Sequence, residues 1–299
     1  MSELRLFTTD GRKVEECYAT AFKKEREIQD LFEANLEVLL GVRFVASEYS
    51  TDQGGRIDTL GIDENGFAVV IEYKRDKNRT VINQGMSYMA WLRSHKAEFW
   101  KVVFEKLGKE AADAIDHSST RLICIATDFT RDDLGAYELM PNNIDLVRYR
   151  RFGESQLLLE RITSSEASAS PVSSTSPARV GPDKPISQWL DDAPANIKSL
   201  YEALQQAILS QGEDVSEKPT KLYIAYKRTR NFATVTYATK TDLNLYLHVK
   251  VDDVKLREGL RDVRSIGHWG TGDLEVKIRT HEDVKLALPL IQRAYEGQA

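Results

Sequence analysis

The chain contains 299 residues, 41% of them hydrophobic, and its formal net charge at pH 7 is -5. This length allows two domains with hydrophobic cores, and the acidic balance excludes a protein that coats nucleic acid through its net charge. Cys17 and Cys124 are the only cysteines, and their spacing predicts neither a disulfide framework nor a zinc site. The sequence has no apolar stretch that could span a membrane and no signal-peptide core, so we expect a cytoplasmic protein without a membrane partner.

The first predicted element is a helix within the segment from Ala21 to Leu40, where apolar residues recur at the spacing of one helical face, namely Ile28, Leu31, Phe32, Leu36 and Leu39. Three glutamates of this segment differ in their predicted direction. Glu25 falls at the edge of the apolar stripe, whereas Glu27 and Glu33 are predicted to point away from it. An exposed acidic helix face is the alternative interpretation of all three.

A β-hairpin is predicted next, because two apolar runs flank the segment from Asp63 to Gly66. Gly66 can adopt the left-handed backbone that a three-residue hairpin loop needs at its last position. If residues 64–66 form that loop, counting outward from it places Asp58 directly opposite Glu72. Lys74 shares the face of Glu72, since side chains alternate along a strand. Two carboxylates and an ammonium group are therefore expected to converge.

Two carboxylates that lie directly opposite each other on paired strands raise each other's pKa and repel, so the pair favours a cation between them. Mg²⁺, or Mn²⁺ in its place, is the predicted cofactor, because it takes oxygen ligands from one or two carboxylates. Asp58 and Glu72 are the predicted ligands. A metal there polarises a phosphoryl group, and Lys74 orients or deprotonates a water or neutralises charge in the transition state. The pattern predicts phosphodiester hydrolysis, and a solvated cross-strand ion pair is the alternative.

Asp58, followed after a gap by Glu72 and Lys74, resembles the signature of the PD-(D/E)XK nuclease superfamily. The usual Pro-Asp of that signature is replaced here by Ile57-Asp58, a departure that the NucS-like and RecB-like branches tolerate. The surrounding residues resemble the nuclease domain of NucS-type endonucleases, in the stretches Gly55-Arg56-Ile57-Asp58 and Val70-Ile71-Glu72-Tyr73-Lys74-Arg75.

Gln84 and Tyr88 match the Gln-X-X-X-Tyr motif of RecB-type nucleases, in which the glutamine supports the metal site. The resemblance implies a restriction-endonuclease-like mixed sheet flanked by helices and a metal-dependent endonuclease acting on nucleic acid, with DNA as the expected substrate. Such enzymes usually take one further acidic residue from the first helix, and Glu25 is the expected one. The predicted catalytic residues are Asp58, Glu72, Lys74, Glu25 and Gln84.

Basic residues beside the predicted site are expected to hold phosphates, because most affinity for nucleic acid comes from contacts that do not depend on sequence. A short charged run between two elements is also typical of a solvated loop, which is the alternative here. The predicted nucleic-acid-binding residues are Arg56, Arg75, Lys77, Arg79 and Tyr88.

The remainder of the first domain alternates between helices and strands. Phe99–Ala114 reads as a helix, and residues 121–126 read as a fully buried strand, because their apolar run is continuous. A right-handed crossover through the Gln84 helix would make this strand parallel to the Glu72 strand. Strands are also expected over residues 144–148 and 156–162. The result is an α/β domain with a mixed sheet.

Composition changes abruptly after residue 163. Ser164–Pro182 is dominated by Ser, Ala and Pro, which predicts a mobile linker over residues 164–185 between domains 1–163 and 186–299. The second domain is expected to be a small α+β module that begins and ends with a helix. It resembles an uncharacterised domain found fused to other bacterial proteins.

The whole chain resembles an uncharacterised two-domain bacterial family sometimes labelled "predicted transport protein", although no residue pattern supports transport. Two alternatives to a nuclease remain: a catalytically inactive nucleic-acid-binding module on the same fold, and an interaction adaptor that binds a protein partner through its C-terminal domain. Because many relatives act as dimers, a homodimer is also an expectation.

Overall fold

The computed structural model describes residues 5–74, 81–137, 140, 143–162, 186, 190, 192–237, 241–266, 268 and 270–297. The chain divides into two compact units, Met1–Glu166 and Ala167–Ala299. Within the described residues, no helix is long and apolar enough to cross a membrane. The predicted linker over residues 164–185 lies outside the described residues, as do Arg75, Lys77 and Arg79.

The first unit is a mixed α/β fold whose helices flank one large sheet. A separate two-stranded sheet, formed by β1 and β2, precedes it. In chain order the elements are β1 Leu6–Thr9, β2 Val14–Cys17, β3 Ala19–Thr20, α1 Glu25–Glu33, α2 Leu36–Leu40, β4 Val42–Ser50, β5 Arg56–Asp63, β6 Ala68–Lys74, α3 Val81–Ser94, α4 Lys96–Leu107, α5 Lys109–Asp113, β7 Thr120–Ala126, α6 Arg131–Tyr137, β8 Ile144–Phe152 and β9 Gln156–Ile162.

The large sheet has the strand order β3-β8-β7-β6-β5-β4, and β9 pairs with β8. Strands β6, β7 and β8 run parallel to one another, whereas β4, β5 and β6 are antiparallel. The crossover through α3 makes β7 parallel to β6, with Cys124 beside Glu72. The predicted mixed sheet flanked by helices is therefore confirmed.

The β5–β6 hairpin has the register expected from its loop. Thr59 pairs with Ile71 and Ile62 pairs with Ala68. The backbone N–H of Asp63 donates to the carbonyl of Phe67 at 3.0 Å. Gly66 has a φ of +80°, and a Cβ there would approach the carbonyl oxygen of Ala114 to 2.5 Å. Glycine is thus required both by the left-handed backbone and by the close packing of the loop.

Helices cover both faces of the central strands. Ile71 packs with Phe32 of α1 on one face, and Val70 packs with the α3–α5 helices on the other. A Cβ on Gly85 of α3 would lie 2.3 Å from a methyl of Leu122, so the helix contacts β7 closely. Burial of both faces explains the continuous apolar runs of β6 and β7.

Two predicted helices are broken in the structure. The segment from Ala21 to Leu40 forms α1 and α2 instead of one helix, and the Asn35 side chain donates to the Leu31 carbonyl at 2.9 Å where α1 ends. Leu31 is 37% exposed, so its predicted place on the buried face is wrong. The predicted helix over residues 99–114 splits into α4 and α5 at Gly108, whose φ of +88° cannot continue a helix.

The second unit is an α+β fold, as predicted. Its antiparallel six-stranded sheet has the order β10-β11-β12-β13-β15-β14, and two long helices among the described residues pack on one face. The sequence predicts strands over residues 221–227, 232–239 and 243–249, which correspond to β11, β12 and β13, whereas β10, β14 and β15 were not predicted. The elements are α7 Ala195–Leu209, β10 Ser216–Pro219, β11 Ile224–Lys227, β12 Asn231–Tyr237, β13 Leu243–Leu247, β14 Leu260–Asp262, β15 Leu274–Ile278 and α8 His281–Tyr295.

Candidate active site

The predicted carboxylates lie where two neighbouring strands separate. Pairing between β5 and β6 is described from Ile62 and Ala68 to Thr59 and Ile71. Beyond that point, β5 stays paired with β4 as far as Arg56, and β6 stays paired with β7 as far as Lys74. Asp58 and Glu72 are the first residues after the last pair of this ladder, one on each strand.

Each of the two carboxylates accepts a hydrogen bond from the opposite strand. Asp58 Oδ2 accepts from the backbone N–H of Tyr73 at 3.0 Å. Glu72 Oε1 accepts from the backbone N–H of Asp58 at 3.2 Å. These side-chain contacts take the place of ladder hydrogen bonds, and they hold both carboxylates at the opening between the strands.

Glu72 is an incompletely satisfied buried carboxylate. Its side chain is 0% exposed, and Oε2 has no hydrogen-bond partner among the described residues. Burial, followed by the charge of Asp58, raises the pKa of Glu72 to about 8. Burial also raises the pKa of Asp58, against the opposing effects of the Tyr73 N–H and the Lys74 charge. A cation between the two carboxylates would reverse both shifts.

Lys74 at the end of β6 and Glu25 at the start of α1 complete the group. Lys74 Nζ lies 3.2 Å from Glu25 Oε1, which brings the first helix to the end of β6. The alternative glutamates lie elsewhere: Glu27 Oε2 accepts from the exposed Lys23 N–H at 3.1 Å. Glu33 was predicted to point away from the sheet, and this is wrong, because its Oε1 accepts from Thr59 Oγ1 at 2.6 Å. The tight contact with β5 turns Glu33 inward.

Gln29 is a site residue that the sequence analysis missed. It is 4% exposed, and its Nε2 donates to the Asp58 carbonyl at 2.7 Å and to Glu33 Oε1 at 2.9 Å. It therefore fixes α1 against the strand that carries Asp58. Its position one helical turn after Glu25, on the same side of the helix, is a signal that could have found it.

Gln84 and Tyr88 form a hydrogen-bonded pair that contacts the backbone at the start of β5. Gln84 Nε2 donates to Tyr88 Oη at 3.1 Å, and this oxygen accepts from the Arg56 backbone N–H at 3.0 Å. A Cβ on Gly55 would lie 2.5 Å from the Tyr88 ring, so only glycine fits beside it. The structure brings both residues to the strand of Asp58. Their described hydrogen bonds join them to each other and to the Arg56 backbone rather than to the carboxylates.

Arg56, the one predicted phosphate-binding arginine among the described residues, is 65% exposed at its side chain and forms an ion pair with Glu48. Glu48 also pairs with Arg26 at 3.3 Å and has a left-handed φ of +53°. The Arg56 guanidinium is thus the solvent-accessible partner of a pair whose carboxylate is half-buried.

The donor set fits a divalent cation with a high preference for oxygen. Among the described residues, no three histidine, cysteine or acidic side chains are arranged to hold an ion together. Asp58 and Glu72 would be the protein ligands of such an ion, since Mg²⁺ commonly uses one or two carboxylates together with waters. The unpartnered Oε2 of Glu72 is the atom that such an ion would satisfy.

Fold and site together define a two-unit α/β protein with a carboxylate pair at the opening of its first sheet. The chain is 31% identical over 301 residues to an uncharacterized protein of Haemophilus influenzae, covering 97% of this chain and 99% of the relative. It belongs to the family of that protein. In the second unit, a family model described as a domain of unknown function (DUF5655) matches residues 186–298.

Three solved structures show a partial likeness to the chain. A repair endonuclease from Pyrococcus abyssi has a TM-score of 0.29 and 20% identity, over 43% of this chain and 48% of that one. EndoMS in complex with double-stranded DNA has a TM-score of 0.26 and 23% identity, over 44% of this chain and 50% of that one. EndoMS in apo form has a TM-score of 0.24 and 26% identity, over 42% of this chain and 45% of that one. The chain thus spans about half the length of each solved chain, and TM-scores this low assign no function.

Proposed function

We propose that the protein is a metal-dependent nuclease that hydrolyses phosphodiester bonds of nucleic acid, with DNA as the first substrate to test. The observation that carries the proposal is the buried carboxylate pair at the open end of the β5–β6 ladder. Glu72 has an oxygen with no described donor, and Lys74 and Glu25 lie beside it. A carboxylate pair that served only the fold would be expected to have all of its oxygens satisfied.

The residues have distinct roles in this proposal. Asp58 and Glu72 would hold the divalent cation, which would supply Lewis-acid polarisation of a phosphoryl oxygen and would acidify a water. Lys74 donates hydrogen bonds to the attacking water or to the non-bridging oxygens as negative charge develops on them. Glu25 holds the Lys74 ammonium in place, since their charged atoms are 3.2 Å apart.

Gln29, Gln84 and Tyr88 position this group without touching the substrate. Gln29 fixes the Asp58 backbone, and the Gln84–Tyr88 pair fixes the Arg56 backbone at the start of the same strand. Arg56 exchanges its ion pair with Glu48 for a phosphate of the substrate backbone. These contacts do not read bases, so the proposal assigns no sequence specificity to them.

The test is cleavage of circular, linear, branched and mismatched DNA, and of RNA, with Mg²⁺, with Mn²⁺ or with chelator. We expect metal-dependent cleavage that falls by about a thousandfold or more in Asp58→Ala, Glu72→Gln and Lys74→Ala, because each removes a ligand or the charge beside it. Glu37→Gln on the exposed side of α2 is the matched control and should cleave like the wild type.

Binding of Mn²⁺ to the full chain, measured by titration calorimetry, gives a readout that does not need cleavage. Asp58→Ala and Glu72→Gln should weaken it, whereas Lys74→Ala should leave it intact. Cleavage that survives both ligand substitutions would refute the site. Nucleic-acid binding without metal-dependent cleavage in the wild type would instead support the inactive binding module.

A further inference from the structure

The two faces of the C-terminal sheet differ in chemistry. One face carries Leu245 and Val276, which pack under α7 and α8. The opposite face carries polar residues in two cross-strand rows, namely Thr234–Tyr246–Glu275–Arg261 and Thr236–Asn244–Lys277. An outer sheet face in a small domain is normally solvated, and its polar residues are exposed. Here Thr234 is 0% exposed, Tyr246 5% and Glu275 6%.

The segment before β15 lies over one part of this polar face. The Thr234 hydroxyl donates to the carbonyl of Thr271 at 3.1 Å, and the His268 ring stacks on Tyr246 with centroids 4.5 Å apart. Gly270 has a φ of +105°, and a Cβ there would lie 2.5 Å from the Thr234 hydroxyl, so the segment approaches as closely as a backbone can. Beside this covered part of the polar face, strands β13, β14 and β15 line a pocket.

The pocket has a volume of about 300 Å³, in the lower range of small-molecule sites. Its floor and walls come from β13, β14 and β15. The lining residues are Asp242, Asn244, Gly259, Leu260, Arg261, Glu275, Lys277 and Arg279. Polar side chains from three strands therefore converge on a space large enough for a metabolite.

The polar groups of the pocket are held in fixed positions by one another. Glu275 Oε2 accepts from Tyr246 Oη at 3.0 Å and from Arg261 Nη2 at 2.7 Å. Asn244 Nδ2 donates to the same tyrosine oxygen at 3.3 Å, which fixes its amide. The other end of that amide, Oδ1, is buried and has no partner among the described residues. A buried acceptor without a donor is expected to have a ligand or water as its partner.

Among the described residues that line the pocket, Lys277 is the basic side chain that belongs to no described ion pair. Arg261 pairs with Glu275, and Arg279 lies 3.6 Å from Asp242. Lys277 faces Asn244 across the β13–β15 ladder, and the ion pairs described for the unit do not include it. Three basic and two acidic side chains line the space. An anionic group near Lys277 would therefore be favoured, with a hydrogen-bond donor next to it for Asn244.

We propose that this pocket is a binding site for a small anionic metabolite that carries a phosphate or carboxylate group and a nearby N–H donor. Lys277, aided by Arg279, binds the anionic group. Asn244 Oδ1 accepts from the N–H group, and the Tyr246–Glu275–Arg261 network holds Asn244 in its orientation. The site is independent of the carboxylate pair in the first unit, so it does not rest on the proposed nuclease function.

Titration calorimetry on the full chain tests the site with three probes. Adenosine monophosphate carries a phosphate and an amino group, ribose 5-phosphate carries the phosphate alone, and glutamine carries a carboxylate and an amide. We expect adenosine monophosphate or glutamine to bind, and the one that binds identifies the anionic group. Ribose 5-phosphate should bind about tenfold more weakly than adenosine monophosphate if the phosphate is the group recognised.

The variants separate the two recognition elements. Lys277→Gln should weaken every probe that binds by about tenfold or more, whereas Asn244→Leu should weaken only probes with an N–H group. Asn244→Asp keeps an acceptor but adds a negative charge and should also weaken binding, which preserves the test if Asn244→Leu fails to fold. Lys285→Gln, an exposed lysine on α8, is the control. Binding of no probe at millimolar concentration, or equal binding to the wild type and Lys277→Gln, would overturn the proposal.

Discussion

Two buried charge clusters lie at opposite ends of the same central strands, and they differ in charge balance. Arg121, near the start of β7, is 5% exposed and lies 2.6 Å from Asp145 and 3.8 Å from Asp63. Arg161 pairs with the second oxygen of Asp145 at 2.9 Å. At the other end, Asp58 and Glu72 share the opening with Lys74, which is itself paired with Glu25.

The Arg121 cluster has the charge balance of a structural cluster, whereas the Asp58–Glu72 cluster has that of a candidate functional site. In the Arg121 cluster the acidic and basic groups alternate, so each buried charge faces an opposite one. In the Asp58–Glu72 cluster the carboxylates outnumber the cations, and Glu72 Oε2 has no described partner. Natural proteins satisfy buried polar groups almost everywhere, and exceptions concentrate where a ligand or a reaction needs them.

The largest effect on stability is expected from the balanced cluster. Arg121→Met should lower the free energy of unfolding by about 3–5 kcal/mol, because it leaves Asp63 and Asp145 buried with less opposing charge. Urea denaturation of the full chain measures this loss. Arg93→Met, at an exposed position on α3, should change stability by no more than about 0.5 kcal/mol. Similar small losses in both variants would show that the Arg121 cluster is not structural.

Glu72→Gln, measured with a chelator present, is expected to raise the free energy of unfolding, whereas Arg121→Met lowers it. The pKa of Glu72 is raised to about 8 in the folded protein, so the folded state holds a proton that the unfolded state releases above pH 4.5. Since the unfolded state then binds fewer protons, wild-type stability should fall as the pH rises from about 4.5 to 8. Glu72→Gln should remove this fall and exceed the wild type by about 2–4 kcal/mol at pH 8.

Urea denaturation at pH 5 and pH 8 measures this difference, with Glu37→Gln as the control at an exposed carboxylate. Added Mn²⁺ should stabilise the wild type but not Glu72→Gln, because an ion that binds only the folded state raises its stability. A variant that is less stable than the wild type at both pH values would show that Glu72 is a satisfied structural residue.

The smallest expected effect is on the rate of cleavage, and it comes from substitutions in the first helix. Glu25→Gln should reduce cleavage by about tenfold, because it removes the charge that holds Lys74, whereas Glu27→Gln should leave the rate within about twofold. Single-turnover rates at saturating metal measure both variants. Equal rates in the two variants would show that the Glu25–Lys74 contact plays no part in the reaction.

Local rules predicted the hairpin and the order of the parallel strands. The Gly66 loop sets the register by its own backbone geometry, and strand alternation then carries that register outward to Asp58 and Glu72. The same rules failed for the first helix. Helical spacing alone directed Glu33 to solvent, but the close contact of α1 with β5 turns its carboxylate toward Thr59. The break at Asn35 depends on a side-chain contact that spacing does not show.

The sequence by itself determined which residues face each other across the hairpin, because pairing two residues fixes all the others along a ladder. It also determined the α+β class of the second unit, through predicted strands that lie between an opening and a closing helix. The tertiary structure alone decided the burial of Glu72 and the lack of a partner for its Oε2, since these depend on β7, α1 and α3 closing around the strand ends. It likewise decided the polar pocket of the second unit, because the pairing of β13, β14 and β15 brings together side chains from three segments between Asp242 and Arg279.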